Sequence, residues 1–248
     1  MALLSKGNTK LGPLIYSFSL VAPVTCPGAT ALCQRFCYAR TGRFLLPAVR
    51  QAHARRLTAS QTNEFVPALV HEIRQNCVNV VRVHVEGDFH TAGYIRQWGA
   101  IARRCPKTVF FAYTRSWRVK RLVPGLKDLA ALANFRIWWS TDAETGRPNV
   151  QELSGAGVAW MATTDRDLPP WPVDLVFRDQ ARVPMKFTPD GAWVCVYDQG
   201  VKRQLRITCS HCAACWRDTR QFPLPRRPAR PAPPARLALA LVETSHVP

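Results

Sequence analysis

Short apolar, β-branched runs alternate with segments of helical spacing along most of this chain, and that alternation limits the fold more than any other feature. "LIYSFSLV" (14–21) reads as a first strand. A helix is predicted over 47–60, opened by Pro47, whose missing N–H costs nothing in a first turn. A second is predicted over 63–76, where Phe65, Val66, Leu69, Val70 and Ile73 share a face. "VNVVRVHVEGDF" (78–89) is a buried strand running into a turn. Thr91 caps a helix that places Ile95, Trp98 and Ile101 together. Strands at 108–115, 135–142, 157–165 and 174–179 follow, with a short helix at 126–133 and a strand or hairpin at 183–196. Such alternation implies βαβ crossovers and a mostly parallel sheet. About six strand candidates before residue 180 predict an α/β fold, a partial (β/α) barrel, with a doubly wound open sheet as the alternative.

The predicted domain runs over 12–222 and carries a cysteine-rich C-terminal extension. Residues 223–248 are rich in proline and arginine and read as a disordered basic tail. The first residues lack the apolar core of a signal peptide, and no apolar run is long enough for a membrane span. The expected location is therefore the cytoplasm, where clustered cysteines stay reduced and more often bind metal or catalyse than pair as disulfides. The formal charge is +18, and still +15 without residues 223–248, which points to a polyanionic partner, nucleic acid first.

Several predicted strands stop on polar residues: Glu86 and Asp88; Tyr113, Thr114 and Arg115; Ser140, Thr141 and Asp142; Thr163, Thr164 and Asp165. In a barrel these ends open onto one face, where active sites are built. One such ending is commonly a cap for the next helix, whereas four in series are expected to converge on one pocket. His84 is expected to be structural, and His90 is an acid–base candidate. Trp98, Trp138, Trp139 and Trp160 are expected in the core.

Cysteines form two sets. Cys26, Cys33 and Cys37 lie in the loop after the first strand. Three thiolates there fill three iron sites of a 4Fe–4S cluster and leave one iron open, or hold zinc with a ligand borrowed from elsewhere. Cys209, Cys212 and Cys215, with Cys195 upstream, supply four thiolates, which suit a second 4Fe–4S cluster or structural zinc. Cys77 and Cys105 are expected to be buried thiols. A cysteine-nucleophile hydrolase is disfavoured, because nothing pairs one cysteine of the triplet with a histidine base.

The stretches "SFSLVAPVTCPGATALCQRFCYARTGRF", "VRVHVEGDFHTAGYIRQWGAIARRCP", "FFAYTRSWR" and "CSHCAACW" resemble the phage gene-product-88 domain family, found in phages, plasmids and bacteria. The resemblance covers most of 12–217. That family in turn looks similar to the radical S-adenosylmethionine (SAM) enzymes, in which a loop-bound 4Fe–4S cluster with one open iron cleaves SAM. The resemblance implies that Cys26, Cys33 and Cys37 hold the cluster and that Phe36 lies near the adenine. It places Glu86, Gly87 and Asp88 at the methionine amine, and Arg115, Ser140 and Asp142 at ribose and carboxylate. It makes the Cys195, Cys209, Cys212 and Cys215 set an auxiliary cluster. A flavodoxin or ferredoxin would then be the reductant, the substrate could be nucleic acid, and a phage-encoded copy would work in the host cytoplasm. The alternative is a non-catalytic, zinc- or cluster-stabilised nucleic-acid-binding protein.

Overall fold

The computed structural model describes residues 2–149, 151, 153, 155–178, 183–198, 207–217 and 224–226. It shows a mixed α/β chain built on one eight-stranded sheet. The strands are β1 (Ser5–Lys6), β2 (Ile15–Phe18), β3 (Val80–Val83), β4 (Val109–Thr114), β5 (Phe135–Thr141), β6 (Gly157–Met161), β7 (Leu175–Phe177) and β8 (Trp193–Val194). Their spatial order is their chain order, and every neighbouring pair is parallel except β1 with β2. A doubly wound sheet reverses direction at a switch point. No reversal occurs here, so the doubly wound alternative is set aside. The β1 strand lies before residue 12, where the predicted domain begins; two exposed residues give no periodic signal.

Alternation sorts the side chains onto two faces. Phe18, Val81, Val83, Phe110, Ala112, Ile137, Trp139, Trp160 and Val176 join the main core. That core lies under three helices, α3 (Phe65–Gln75), α4 (Ala92–Arg104) and α5 (Val123–Ala130). Phe18 packs edge-on against Phe65 and Trp98, with centroids 5.5 and 5.4 Å apart, so strand, α3 and α4 meet at one aromatic node. The predicted cap of α4 is present, with Thr91 Oγ1 accepting from Tyr94 N at 3.1 Å. Trp98, Trp138, Trp139 and Trp160 are all buried, as expected. The helix α5 starts three residues earlier than its apolar spacing indicated, because Pro124 is accommodated in the first turn. The remaining helices are α1 (Ala31–Arg35), α2 (Pro47–Ser60) and α6 (Cys209–Cys212).

One expectation needs amendment. Cys77 is exposed rather than buried, because it sits at φ 47° in the left-handed turn that ends α3 and points away from the core. Among the described residues no helix separates β5 from β6 or β6 from β7, which fits the closer spacing of the strand candidates after Asp142 in the sequence. Apart from 224–226, the basic tail lies outside the described residues. Among the described residues, no helix is long and apolar enough to cross a membrane.

Candidate functional site

The sheet face opposite the helices lines a cavity of about 260 Å³. Ser140, Met161 and Phe177 reach it from the strands at one side, and Arg82, Phe111 and Tyr113 from the middle. Because β2 to β8 run parallel, the loops that follow their C-terminal ends roof it over.

The first roof element is the segment after β2. It carries Cys26, Cys33 and Cys37, all three on the cavity wall. Local chemistry fixes it. Thr30 caps α1, accepting from Cys33 N at 2.9 Å, and donates to the fully buried Asp142 Oδ2 at 2.7 Å. Arg115 Nη2 lies 2.9 Å from the same carboxylate, and Arg115 Nη1 donates to Cys33 Sγ at 3.1 Å. Asp142 therefore clamps the loop and the guanidinium from behind. It is not on the cavity wall, whereas Ser140 and Arg115 are.

The turn at 86–88 is stitched to the same loop. Leu20 N donates to Glu86 O at 2.9 Å, and Asp88 N donates to Thr25 O at 3.1 Å. Gly87 sits between them at φ 85°, and a Cβ there would lie 2.7 Å from both Leu20 Cβ and Thr25 Oγ1. Only glycine combines that backbone with that approach. Glu86 accepts from Ala22 N at 3.0 Å, and its second oxygen lies 2.9 Å from His53 Nδ1. Asp88 accepts from Thr114 Oγ1 at 2.6 Å, Phe89 N at 2.7 Å and Arg115 N at 2.8 Å. Burial outweighs these bonds and holds the Asp88 carboxyl above its ordinary range. Glu86, Gly87 and Asp88 all line the cavity, and so does Phe36, which is 40% exposed at its mouth.

The second cysteine set closes the opposite side. Cys209 N and Ser210 N donate to Lys10 O and Leu11 O at 2.8 and 2.9 Å, which docks α6 beside the first strands. Ala213 at φ 57° ends that turn, and Trp138 Nε1 donates to Cys215 O at 2.8 Å. Cys195 follows β8, with its N–H on Val176 O at 2.9 Å. Cys195, Cys209 and Cys215 line the main cavity, and all four cysteines surround a smaller adjoining one of about 20 Å³. None of the nine cysteines is in a disulfide. Without a bound group, burial pushes the Cys26 thiol up, with Asp88 adding to the effect, and pushes Cys215 up to about 12.

Of the strand-end residues, Glu86, Asp88, Tyr113, Arg115, Ser140 and Thr163 reach the cavity. Thr114, Thr141, Asp142, Thr164 and Asp165 do not; Thr114 serves Asp88, and Asp165 pairs with Arg178 at 2.5 Å. His84 is buried and bonded to Tyr94 Oη at 2.9 Å; desolvation, with His90 and Arg82 nearby, depresses its pKa to about 3. His90 packs its ring against Tyr94, tilted by 33° with centroids 4.7 Å apart, and does not line the cavity. Sequence reasoning missed Lys10, Tyr38, Arg82 and Asp198, all on the wall. Arg82 was findable, because a charge alternating with Val81 and Val83 in a buried strand must point at something other than the core. Among the described residues no three His, Cys, Asp or Glu side chains converge as a single metal ion requires.

The fold and this wall define an α/β protein with two separated cysteine sets facing one cavity. A family profile described as Gene product 88 matches residues 2–218, and the chain belongs to that family. It is similar to the Gene 88 protein of Mycobacterium phage L5, 28% identical over 156 residues, which cover 56% of this chain and 62% of that protein. The Gene 88 protein of Mycobacterium phage D29 is 26% identical over the same shares of both chains. The chain thus spans less than two thirds of the length of these relatives. No solved structure matches.

Proposed function

We propose that this chain is an iron–sulfur protein resembling a radical-SAM enzyme, working in the cavity of a partial (β/α) barrel on a small substrate. The observation that carries the reading is that one cavity wall gathers Cys26, Cys33 and Cys37 on one side and Cys195, Cys209 and Cys215 on the other.

The donor set fits. Three free cysteines on one loop offer three thiolates and leave a fourth iron open, while four around the smaller cavity offer a closed set. A cluster takes each thiolate on a different iron, so its ligands need not meet at one point as they must around zinc. Zinc, the alternative occupant of the C-terminal set, would require its four cysteines to draw together around one ion. When bound and reduced, a 4Fe–4S cluster with an open iron supplies the electron that cleaves SAM.

The chain's own residues hold and insulate that chemistry. Arg115 donates to Cys33 Sγ, a contact that stabilises a thiolate and its ligation. Asp142 and Thr30 fix Arg115 and the loop, and the Glu86–Asp88 turn holds the loop's first half. Phe36 covers the mouth, and Ser140 and Glu86 offer polar edges to a bound cofactor. Electrons would come from a flavodoxin- or ferredoxin-class donor.

Anaerobic reconstitution followed by SAM binding and cleavage tests the reading. Cluster-loaded protein is expected to release 5′-deoxyadenosine when reduced. Loaded protein that neither binds nor cleaves SAM would refute the enzymatic part. The net charge of +18 favours a second reading, a non-catalytic nucleic-acid binder whose cysteines only stabilise the fold. It predicts steep salt dependence of DNA or RNA affinity, unchanged when Glu86 and Asp88 are replaced by alanine.

A further inference from the structure

The cavity wall carries as many carboxylates as cations, yet the pairing leaves one cation over. Three carboxylates line it, and each has protein partners: Glu86 with Ala22 N and His53, Asp88 with Thr114, Phe89 and Arg115 backbone or hydroxyl groups, Asp198 with Lys10 at 3.6 Å. Among the three lysine and arginine side chains on the wall, Lys10 pairs with Asp198 and Arg115 with Asp142. Arg82 pairs with no carboxylate among the described residues, and its buried Nε has no hydrogen-bond partner. Its guanidinium carbon lies 5.8 Å from the Tyr113 ring centroid, and burial keeps that phenol neutral. Arg82 is half-buried, and an unpaired cation shielded from water in this way is costly unless a ligand supplies the counter-charge.

Arg82 does not serve the cysteines in the way Arg115 does. Arg115 shows what such service looks like, a 3.1 Å contact to Cys33 Sγ. Arg82 makes no comparable bond to sulfur among the described residues. Around Arg82 the wall carries the aromatic Phe111 and Tyr113, and Tyr38, Cys209 and Cys215 are also near enough to favour its charge. At about 260 Å³ the cavity lies just below the usual range for small-molecule pockets and does not admit a folded polymer.

We propose that the cavity binds a small organic substrate with an apolar or aromatic body and one anionic group, carboxylate or phosphate, and that Arg82 is the residue that holds that group. A guanidinium grips either anion through two parallel N–H bonds, which fixes orientation as well as charge. The inference rests on the reading above only in taking this cavity as the place where chemistry occurs.

The test uses benzoate and phenyl phosphate as probes, with benzamide as the neutral analogue, on the full-length reconstituted protein by calorimetric titration. One of the anions is expected to bind at least about tenfold more tightly than benzamide, and the tighter of the two names the anion class. Arg82→Gln is expected to remove that preference, and Arg82→Lys to keep part of it. If Arg82→Gln fails to fold, the benzoate, phenyl phosphate and benzamide comparison on the unaltered chain decides. Equal binding of charged and neutral probes would overturn the proposal. So would anion preference that survives in Arg82→Gln, even with altered electron paramagnetic resonance, which would assign Arg82 to the cysteines. Displacement of the bound probe by SAM would assign Arg82 to the cofactor and also overturn it. Iron and sulfide measured on the same samples separate the two readings: anion preference without iron leaves this inference standing and sinks the cluster, and iron without anion preference does the reverse.

Discussion

Replacing Gly87 by alanine tests how the cysteine loop is held. Two terms act together. A left-handed backbone costs a non-glycine residue about 1–2 kcal/mol. The added Cβ would also sit 2.7 Å from Leu20 Cβ and Thr25 Oγ1, closer than packed atoms tolerate, and overpacking of this kind costs about 1–3 kcal/mol. The sum, about 2–5 kcal/mol, corresponds to a fall in Tm of about 4–20 °C for a domain of this size. Gly42 supplies the control. It has φ 56° but nothing within 4 Å of a Cβ, so Gly42→Ala should lose only the backbone term. Urea unfolding of both variants of the metal-free protein reads the difference. Because Leu20 and Thr25 lead into Cys26, Gly87→Ala should also speed alkylation of the loop cysteines, and Gly42→Ala should do so less. Equal destabilisation by the two substitutions would refute the idea that the 86–88 turn and the cysteine loop are pressed together.

Asp142→Asn leaves the Arg115 guanidinium without its counter-ion in a buried setting and is expected to cost about 3–5 kcal/mol in urea unfolding. His84 is held neutral in the fold, with a pKa of about 3, while the unfolded chain protonates it near its ordinary value. The unfolded state therefore binds more protons between those values, and stability should fall as pH drops from about 6.5 toward 3, by at most about 1.4 kcal/mol per pH unit from this group. His84→Gln should flatten that slope in unfolding curves recorded at pH 7 and pH 5. Cys209→Ser should remove about half of the bound iron and leave the loop set loaded, whereas Cys33→Ser should remove the open-iron cluster and with it any SAM binding.

Much of the fold was legible because burial on one side of a strand leaves a period of two, and burial on one side of a helix leaves the Phe65, Leu69, Val70, Ile73 pattern. The Thr91 cap and the Pro47 start were equally readable, since each is a local backbone requirement. The β1 strand was not, because two exposed residues carry no period. The cysteine loop and the strand ends were visible as residue types at the right places. What local sequence cannot contain is division of labour across the chain. Asp142 looked like a ligand and is a clamp behind Arg115, while Lys10 and Asp198 meet from 188 positions apart.

The most direct measurement is metal and acid-labile sulfide content of anaerobically purified protein, with electron paramagnetic resonance of the reduced sample before and after SAM is added. Two clusters predict about eight iron and about eight sulfide per chain, and a signal from the loop cluster that shifts with SAM. Zinc with no sulfide, in a protein indifferent to SAM, would contradict the account.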